Sequence, residues 1–430
     1  SNIGRIAIAH QTTFGTATTA QASFTPMECE ASLPPVAREV FERNAITSGH
    51  YKLTPIEGSQ HGQEYTLTFP IHGFSSSVTS APTLATTGVI AHPEAQILKA
   101  ILGNAHTDAD SYIAAGSVAN GSDNKTLQVL TGVDSDLSDN TAAGAAVGVS
   151  TTVSGFSSTQ VRAAFVTNIT DTDPDTYTLL NPLGGTVATL QNIYGAKTIF
   201  MDNELSPQFF TLEWRSLQSS SRILLDSCHV KTVEITLNPR GVAMMTATFV
   251  VNGITATDTG DAAALGQTSY TLPTLPTAIG NNSTVFRKGD TATAINDLSI
   301  TIEQTLANRL DHSATNGVGG MLCTGRSVVA KFSELLTAAP VTSLDSSPSS
   351  IFFQIGGTAG NIMAVSMPAP VMYEVGALSE VESAVAQACQ DQAGQGIARQ
   401  RNGMLYSTGG FTPVAGVIAA GSTIRLFNVP

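Results

Sequence analysis

Charge is scarce in this chain. Only 12% of its 430 residues are Asp, Glu, Lys or Arg, against roughly a quarter in an ordinary soluble domain. Hydrophobic residues reach 42%, and Thr, Ser, Ala and Gly fill the difference, so this is not the charge-rich, aliphatic-poor composition of a disordered chain. Lys and Arg number 20 against 33 Asp and Glu, a net charge of −13. With no basic run either, the sequence argues against a protein that grips nucleic acid through its phosphates. The acidity is uneven: residues 104–200 hold nine Asp against Lys125, Arg162 and Lys197, which is −6 of the −13. A monomer with so few charges has little to hold its neighbours apart, which points to a surface that ends up covered.

Cysteine is also scarce. Cys29, Cys228, Cys323 and Cys389 stand far apart with no CxxC, as expected of incidental thiols in a reducing cytoplasm. No apolar run approaches the ~18–20 residues of a membrane-spanning helix. The opening residues show no charged segment followed by an apolar one, so the chain is expected to be soluble and cytoplasmic when made. GxSxG, HExxH, GxxxxGKS/T and GxGxxG are all missing, and the eight histidines are scattered singly. Asp171-Thr-Asp173-Pro-Asp175 begins like a calcium loop. However, Thr176 stands where the loop needs glycine and Pro182 where it needs an acid, so an Asp-rich turn is the simpler reading. No catalytic, cofactor-binding or metal-ligating residue is expected, and an enzyme is disfavoured.

What the chain does have is alternation. Tyr65, Leu67, Phe69 and Ile71 fall on one face of a strand over 65–71. Val233, Ile235 and Leu237 run into the turn Asn238-Pro239-Arg240-Gly241 and return through Met245, Ala247 and Phe249, the surest hairpin in the chain. Pro93-Glu94 opens a helix over 93–102 with Ile97, Leu98, Ile101 and Leu102 as its apolar stripe, ended by Gly103. Further strands are expected at 3–9, 27–33, 209–217, 298–303, 328–332, 351–355, 362–367, 381–388 and 423–428, with a short helical piece at 334–338. Residues 105–155 read as loop, and 161–200 as short strands between Pro, Asp and Gly turns.

The order of these elements occurs twice, once per half: strand, loop, strand, helix, then further strands. The fold class read from this is mainly β, with two tandem β-sandwich units, each with a flanking α-helix, and an inserted small β-domain. The first unit would comprise 1–104 and 201–260, interrupted by an insertion at 105–200. A linker at 261–292 would lead to the second unit, 293–400, and a C-terminal extension, 401–430, would carry a last strand. A duplicated β-unit without chemistry suits a self-assembling wall, because two copies per chain supply quasi-equivalent positions in a ring.

Two places invite a contact reading. The connection 34–64 carries Arg38, Glu39, Glu42, Arg43, Tyr51, Lys52 and Glu57; it is either a solvated excursion or an arm lying on a neighbouring subunit. Trp214, the one tryptophan, sits with Arg215 in FFTLEWR. Either Phe210, Leu212 and Trp214 face a core, or Trp214 and Arg215 meet another subunit, where both residue types are enriched.

Five segments carry a resemblance: RIAIAHQTTFGTATTA (5–20), HPEAQILKAILG (92–103), CHVKTVEITLNPRGVAMMTATFVVNG (228–253), INDLSITIEQTLANRL (295–310) and GRSVVAKFSELL (325–336). In these, and in the order of its elements, the chain resembles the major tail tube proteins of long flexible-tailed, siphovirus-type bacteriophages. The likeness leaves out 105–200 and the tail after about 400. It implies rings of packed antiparallel sheets stacked into a tube, with inner sheets joining into a continuous barrel around a DNA-wide lumen. A doubled unit implies a homotrimer with pseudo-hexameric symmetry. Lys231, Glu234, Arg240, Glu303 and Lys331 would face the lumen, and the 34–64 residues with Trp214 and Arg215 would make inter-ring or inter-subunit contacts. The implied partners are further copies of the chain, a tape-measure protein and a tail-terminator protein. Double-stranded DNA would pass without sequence-specific binding, no membrane or cofactor would be involved, and the location would be the virion tail after synthesis in the host cytoplasm. The competing expectation is a virion decoration or host-binding β-protein that forms discrete trimers.

Overall fold

The computed structural model describes residues 4–29, 34, 38–41, 56–60, 63–71, 90, 92–107, 111–118, 125–129, 145–150, 161–170, 176–183, 192–201, 208–216, 222–237, 241–257, 285–314, 317–335, 350–356, 362–368, 370–379, 384–391 and 425–429. In chain order the first elements are β1 (Gly4–Gln11), β2 (Thr25–Met27), β3 (Arg38–Phe41), β4 (Ile56–Gln60), β5 (Glu64–Pro70) and helix α1 (Pro93–Leu102). Then come β6 (Gly103–Thr107), β7 (Ser111–Val118), β8 (Thr126–Val129), β9 (Ala146–Ser150), β10 (Val161–Thr170), β11 (Thr176–Leu179), β12 (Asn192–Gly195) and β13 (Lys197–Met201). The middle of the chain gives β14 (Phe209–Ser216), β15 (Arg222–Leu237), β16 (Met244–Val250), β17 (Gly253–Thr257), β18 (Val285–Lys288), β19 (Thr291–Ala292) and the long pair β20 (Ile295–Leu310) and β21 (Val318–Leu335). The last strands are β22 (Ile351–Ile355), β23 (Ile362–Met367), β24 (Pro370–Ser379), β25 (Ala384–Asp391) and β26 (Arg425–Val429). The protein is mainly β, with antiparallel pairing throughout the registers described below.

An eleven-stranded sheet runs β2-β1-β14-β15-β20-β21-β25-β24, with β16 between β15 and β5 and with β17 also on β15. A seven-stranded sheet runs β19-β18-β22-β23-β26-β13-β6. One apolar core lies between them. Leu67, Phe69, Ile235, Phe249, Ile300 and Val328 from the first sheet pack in the same cluster as Ile199, Phe286, Phe353 and Val365 from the second, with Ile97 and Ile101 of α1. Burying each such side chain contributes ~1.5–3 kcal/mol.

Helix α1 begins at Pro93, whose missing N–H costs nothing in the first turn, with Glu94 complementing the helix dipole there. It stops at Gly103, whose φ of 114° only glycine adopts readily and whose N–H donates to the Lys99 carbonyl. Its apolar side packs against β15 and β13.

β15 belongs to two environments. From Leu224 to Val230 every residue is buried, and beyond Lys231 burial alternates. Its early half pairs with β14 and β17, its later half with β16 and β20. The switch happens at Ser227, which has φ 49° and is the one non-glycine with positive φ among the described residues, and at a bulge around Lys231. A bulge adds a residue to one strand and bends it. Polar contacts hold the bend in place. Gln11 Nε2 donates to Ser227 Oγ (2.9 Å), Ser227 N donates to Gln11 Oε1 (2.7 Å), and Gly15 N donates to Ser227 Oγ (2.7 Å).

Residues 111–195 contain a closed six-stranded barrel, β10-β11-β8-β7-β12-β9, filled by Leu127, Val147, Val149, Val166, Tyr177 and Leu179. It docks on the seven-stranded sheet through Ala146, Ala163 and Phe165 against Phe352, Ile362 and Ala364. Two buried hydrogen bonds cross the contact: Ala163 N to Gln354 Oε1 (2.8 Å) and Ala146 N to Thr198 Oγ1 (2.9 Å).

The structure corrects several sequence expectations. Residues 105–155, read as loop, hold β6 to β9. β6 and β13, at the two ends of the expected insertion, pair with each other in the seven-stranded sheet and not in the barrel. Glu334, expected in a helix, lies in β21 because its backbone pairs with both β20 and β25; residues 336–338 lie outside the described residues. Of the strand expected at 27–33, β2 reaches only Met27, Glu28 and Cys29 are irregular, and 30–33 lie outside the described residues. The linker 261–292 contains β18 and β19. Residues 304–310 and 318–327, taken for a loop, lie in the β20–β21 ladder.

Candidate functional site: the hydroxyl face and the projecting hairpin

The part of the large sheet made by β5, β16, β15, β20 and β21 has one face in the core. Its other face is written in hydroxyls. Cross-strand registers place Thr66, Thr248, Thr232, Glu303 and Ser327 in one row. The next row holds Thr68, Thr246, Glu234, Thr301 and Val329, and the third Pro70, Met244, Thr236, Ser299 and Lys331. Thr is β-branched and suits a pleated surface while remaining hydrated. Neighbouring hydroxyls meet across strands, Thr66 with Thr248 at 3.0 Å and Thr68 with Thr246 at 3.1 Å.

The charges on this face are few. Lys231 Nζ, at the bulge, lies 2.5 Å from Glu64 Oε1. That hydrogen bond is the first cause of a raised Lys231 pKa, with the Glu64 and Glu303 charges adding to it. Ser299 Oγ donates to Glu234 Oε1 at 2.8 Å. With Asp297 at its margin, the face carries Glu64, Glu234, Asp297 and Glu303 against Lys231 and Lys331. That is a net charge of −2, with no lower a proportion of acid to base than the 33 to 20 of the whole chain. Such a surface neither collects phosphates nor strongly repels them.

β20 and β21 outrun this sheet. β15 pairs β20 only as far as Glu303, and β25 pairs β21 only from Val329 onward. From Gln304 outward the two strands pair with each other as far as Leu310 and Val318, with no further lateral strand among the described residues. The hairpin is clamped at its base: Arg326 Nη1 donates to the Leu102 carbonyl at the C-terminal end of α1 (2.7 Å), and Gln304 Nε2 donates to the Val230 carbonyl beside the bulge. At its tip Asp311 accepts from Ser313 N (2.9 Å) and Ser313 Oγ (2.6 Å), which holds its carboxyl below the usual range. Gly319 must stay small, since a Cβ there would lie 2.8 Å from Asp311 Cβ. Leu310 and Leu322 are 80% and 56% exposed, two of three large hydrophobics so exposed among the described residues.

Of the residues singled out in the sequence, Lys231, Glu234, Glu303 and Lys331 come together on the hydroxyl face, and Arg240 lies outside the described residues. Arg38 and Glu39 fall in β3, and Glu57 in β4 opposite Val40; Glu42, Arg43, Tyr51 and Lys52 lie outside the described residues, as does the acidic run 171–175. Trp214 and Arg215 are buried within the chain, 6% and 5% exposed, and Trp214 joins Phe210 and Leu212 in the main core. Arg215 stands opposite Arg5 on one side and Arg222 on the other. Glu213, 1% exposed, meets Arg222 at 2.5 Å.

Sequence reasoning missed the threonine rows, whose signal was alternation of Thr with apolar residues in four strands. It also missed the projecting part of the second hairpin, having placed strands only at 298–303 and 328–332. Among the described residues no group of three or more His, Cys, Asp or Glu converges as a metal site would require, and no helix is long and apolar enough to cross a membrane. No protein-family model matches the chain, and no curated protein matches it.

Proposed function

We propose that the chain is a structural subunit of a tail tube, of the kind built by the long flexible-tailed bacteriophages it resembles in sequence, and that copies polymerise into stacked rings around a conduit for DNA. The observation that carries this reading is the hydroxyl face: a broad sheet surface rich in threonine and serine, with few charges and no basic cluster, which suits a wall past which a polyanion slides. Lys231, Glu234, Glu303 and Lys331 would lie on the lumen side. The projecting hairpin, with its clamped base and exposed leucines, suits a contact between subunits.

A doubled unit within the chain is favoured by the pairing order. β5, β15 and β16 are met in that sequence but pair as β5-β16-β15; β21, β24 and β25 pair as β21-β25-β24. The same permutation in both halves supports two tandem units joined at β15–β20, hence three chains in a ring with six similar lobes. A second reading, a decoration or host-binding trimer, draws on the separate barrel. End-on averaging of the purified protein by electron microscopy tests both. Stacked rings of three chains support the proposal, six chains per ring retain the tube but remove the duplication, and isolated trimers favour the second reading.

A further inference from the structure

The C-terminal strand occupies the interior of the seven-stranded sheet, not its rim. One edge of β26 pairs with β23, from Ile362↔Val429 to Ser366↔Arg425. The other pairs with β13, from Lys197↔Asn428 to Phe200↔Arg425. Without it the sheet divides into β19-β18-β22-β23 and β13-β6. The strands that would be left as edges are built for an interior. β23 is buried at all six positions, and Thr198, Ile199 and Phe200 of β13 are buried too. Two apolar strands with unpaired backbone groups form a slot that a strand must fill.

The strand that fills it is five residues long and is joined to β25 by residues 392–424. A segment of that length reaches up to about 110 Å when extended, several times the distance across a domain. The same slot, with the same registers, exists in every copy of the chain. Moving β26 from its own slot to a neighbour's therefore changes no contact, only which chain is tied to which, and packed neighbours offer one another slots at high effective concentration.

We propose that β26 is exchanged between copies, each chain's C-terminal strand completing the seven-stranded sheet of a neighbour and stitching the assembly with main-chain ladders. The proposal rests on the reading that copies polymerise, and its test separates the two. Two full-length versions with different tags are coexpressed, one with Ala364→Cys and the other with Phe427→Cys, register partners across β23 and β26. Cys29, Cys228, Cys323 and Cys389 are replaced by Ala in both. After oxidation, exchange gives a disulfide-linked pair carrying both tags, at least about tenfold above a mixture in which both versions carry Ala364→Cys alone.

A chain bearing both substitutions that closes only on itself, with no mixed pair in the coexpression, overturns the proposal. Ser366→Cys with Arg425→Cys repeats the test at a second register position, in case one pair disturbs folding. Crosslinking at neither pair, within or between chains, overturns it as well. Tubes by microscopy without mixed disulfides end the exchange and keep the tube; mixed disulfides in discrete particles do the reverse.

Discussion

β20 and β21 are one hairpin living in two surroundings. Between Leu298 and Ile302, Leu298, Ile300 and Ile302 are at most 1% exposed, opposite Phe332, Ala330 and Val328. Beyond Gln304 the same ladder continues, yet Thr305, Ala307, Asn308, Arg309 and Leu310 are exposed. The backbone hydrogen bonds are of one kind throughout; what changes is that the side chains of β20 lose their cover, while on β21 Val318 and Met321 keep theirs. Ladder geometry persists past the core because Arg326 and Gln304 fix the base and Asp311 fixes the tip. Stability, by contrast, comes from the supported half.

The comparison is broken most severely at its supported end. Ile300→Ala opens a cavity in the main core and is expected to lower the unfolding free energy by about 2–5 kcal/mol, read by chemical denaturation. The doubly buried half of β15 gives the next effect, through pH. His229, 3% exposed beside Phe14 and Phe209, has its pKa pushed down to about 4 by burial. The folded state keeps it neutral while the unfolded chain binds a proton below about 6.5. Its contribution is therefore fully present above that value and falls away as pH drops toward 4, by a few kcal/mol. Thermal denaturation from pH 7 to 4 measures the slope, and His229→Leu should flatten it.

Removing the clamp comes third. Arg326→Met leaves the Leu102 carbonyl without that donor and should cost about 1–3 kcal/mol, while amide exchange quickens across 304–326 more than across 298–303. The smallest effect is expected at the unsupported end, where Leu310→Ser with Leu322→Ser should leave stability within about 0.5 kcal/mol. Assembly should nevertheless fall in sedimentation, since these side chains are exposed in the single chain; unchanged assembly removes them from any subunit contact.

How much of this was legible in the sequence follows the same division. Where a strand has one face in a core, alternation announces it, as at 65–71 and 233–251, and proline with an acid then glycine marked helix 93–102 at both ends. Where a strand has no buried face, as in residues 305–310, there is no period of two to find, and the ladder passes for a loop. The first half of the barrel was hidden for a different reason. β9 reads AVGVS and β7 SYIAAGSV, and small residues that suit a tight closed barrel look like linker composition. The hydroxyl face was half legible. Its charged residues were picked out individually, but the threonines between them, which define the surface, looked like filler because each is unremarkable alone. Residue 334 failed because a short amphipathic run, Glu-Leu-Leu, fits helix and strand equally until its partners are known.

The bend in β15 has a mechanical side. One covalent strand of sixteen residues runs through two sheet regions, turning between them at Ser227 and Lys231. The region around β1 and β14 therefore cannot slide past the region around β5 and β16 without stretching a peptide backbone. Force applied to either region is delivered to the other as tension along the strand. The two regions should therefore yield together, coupled through the backbone of this one strand.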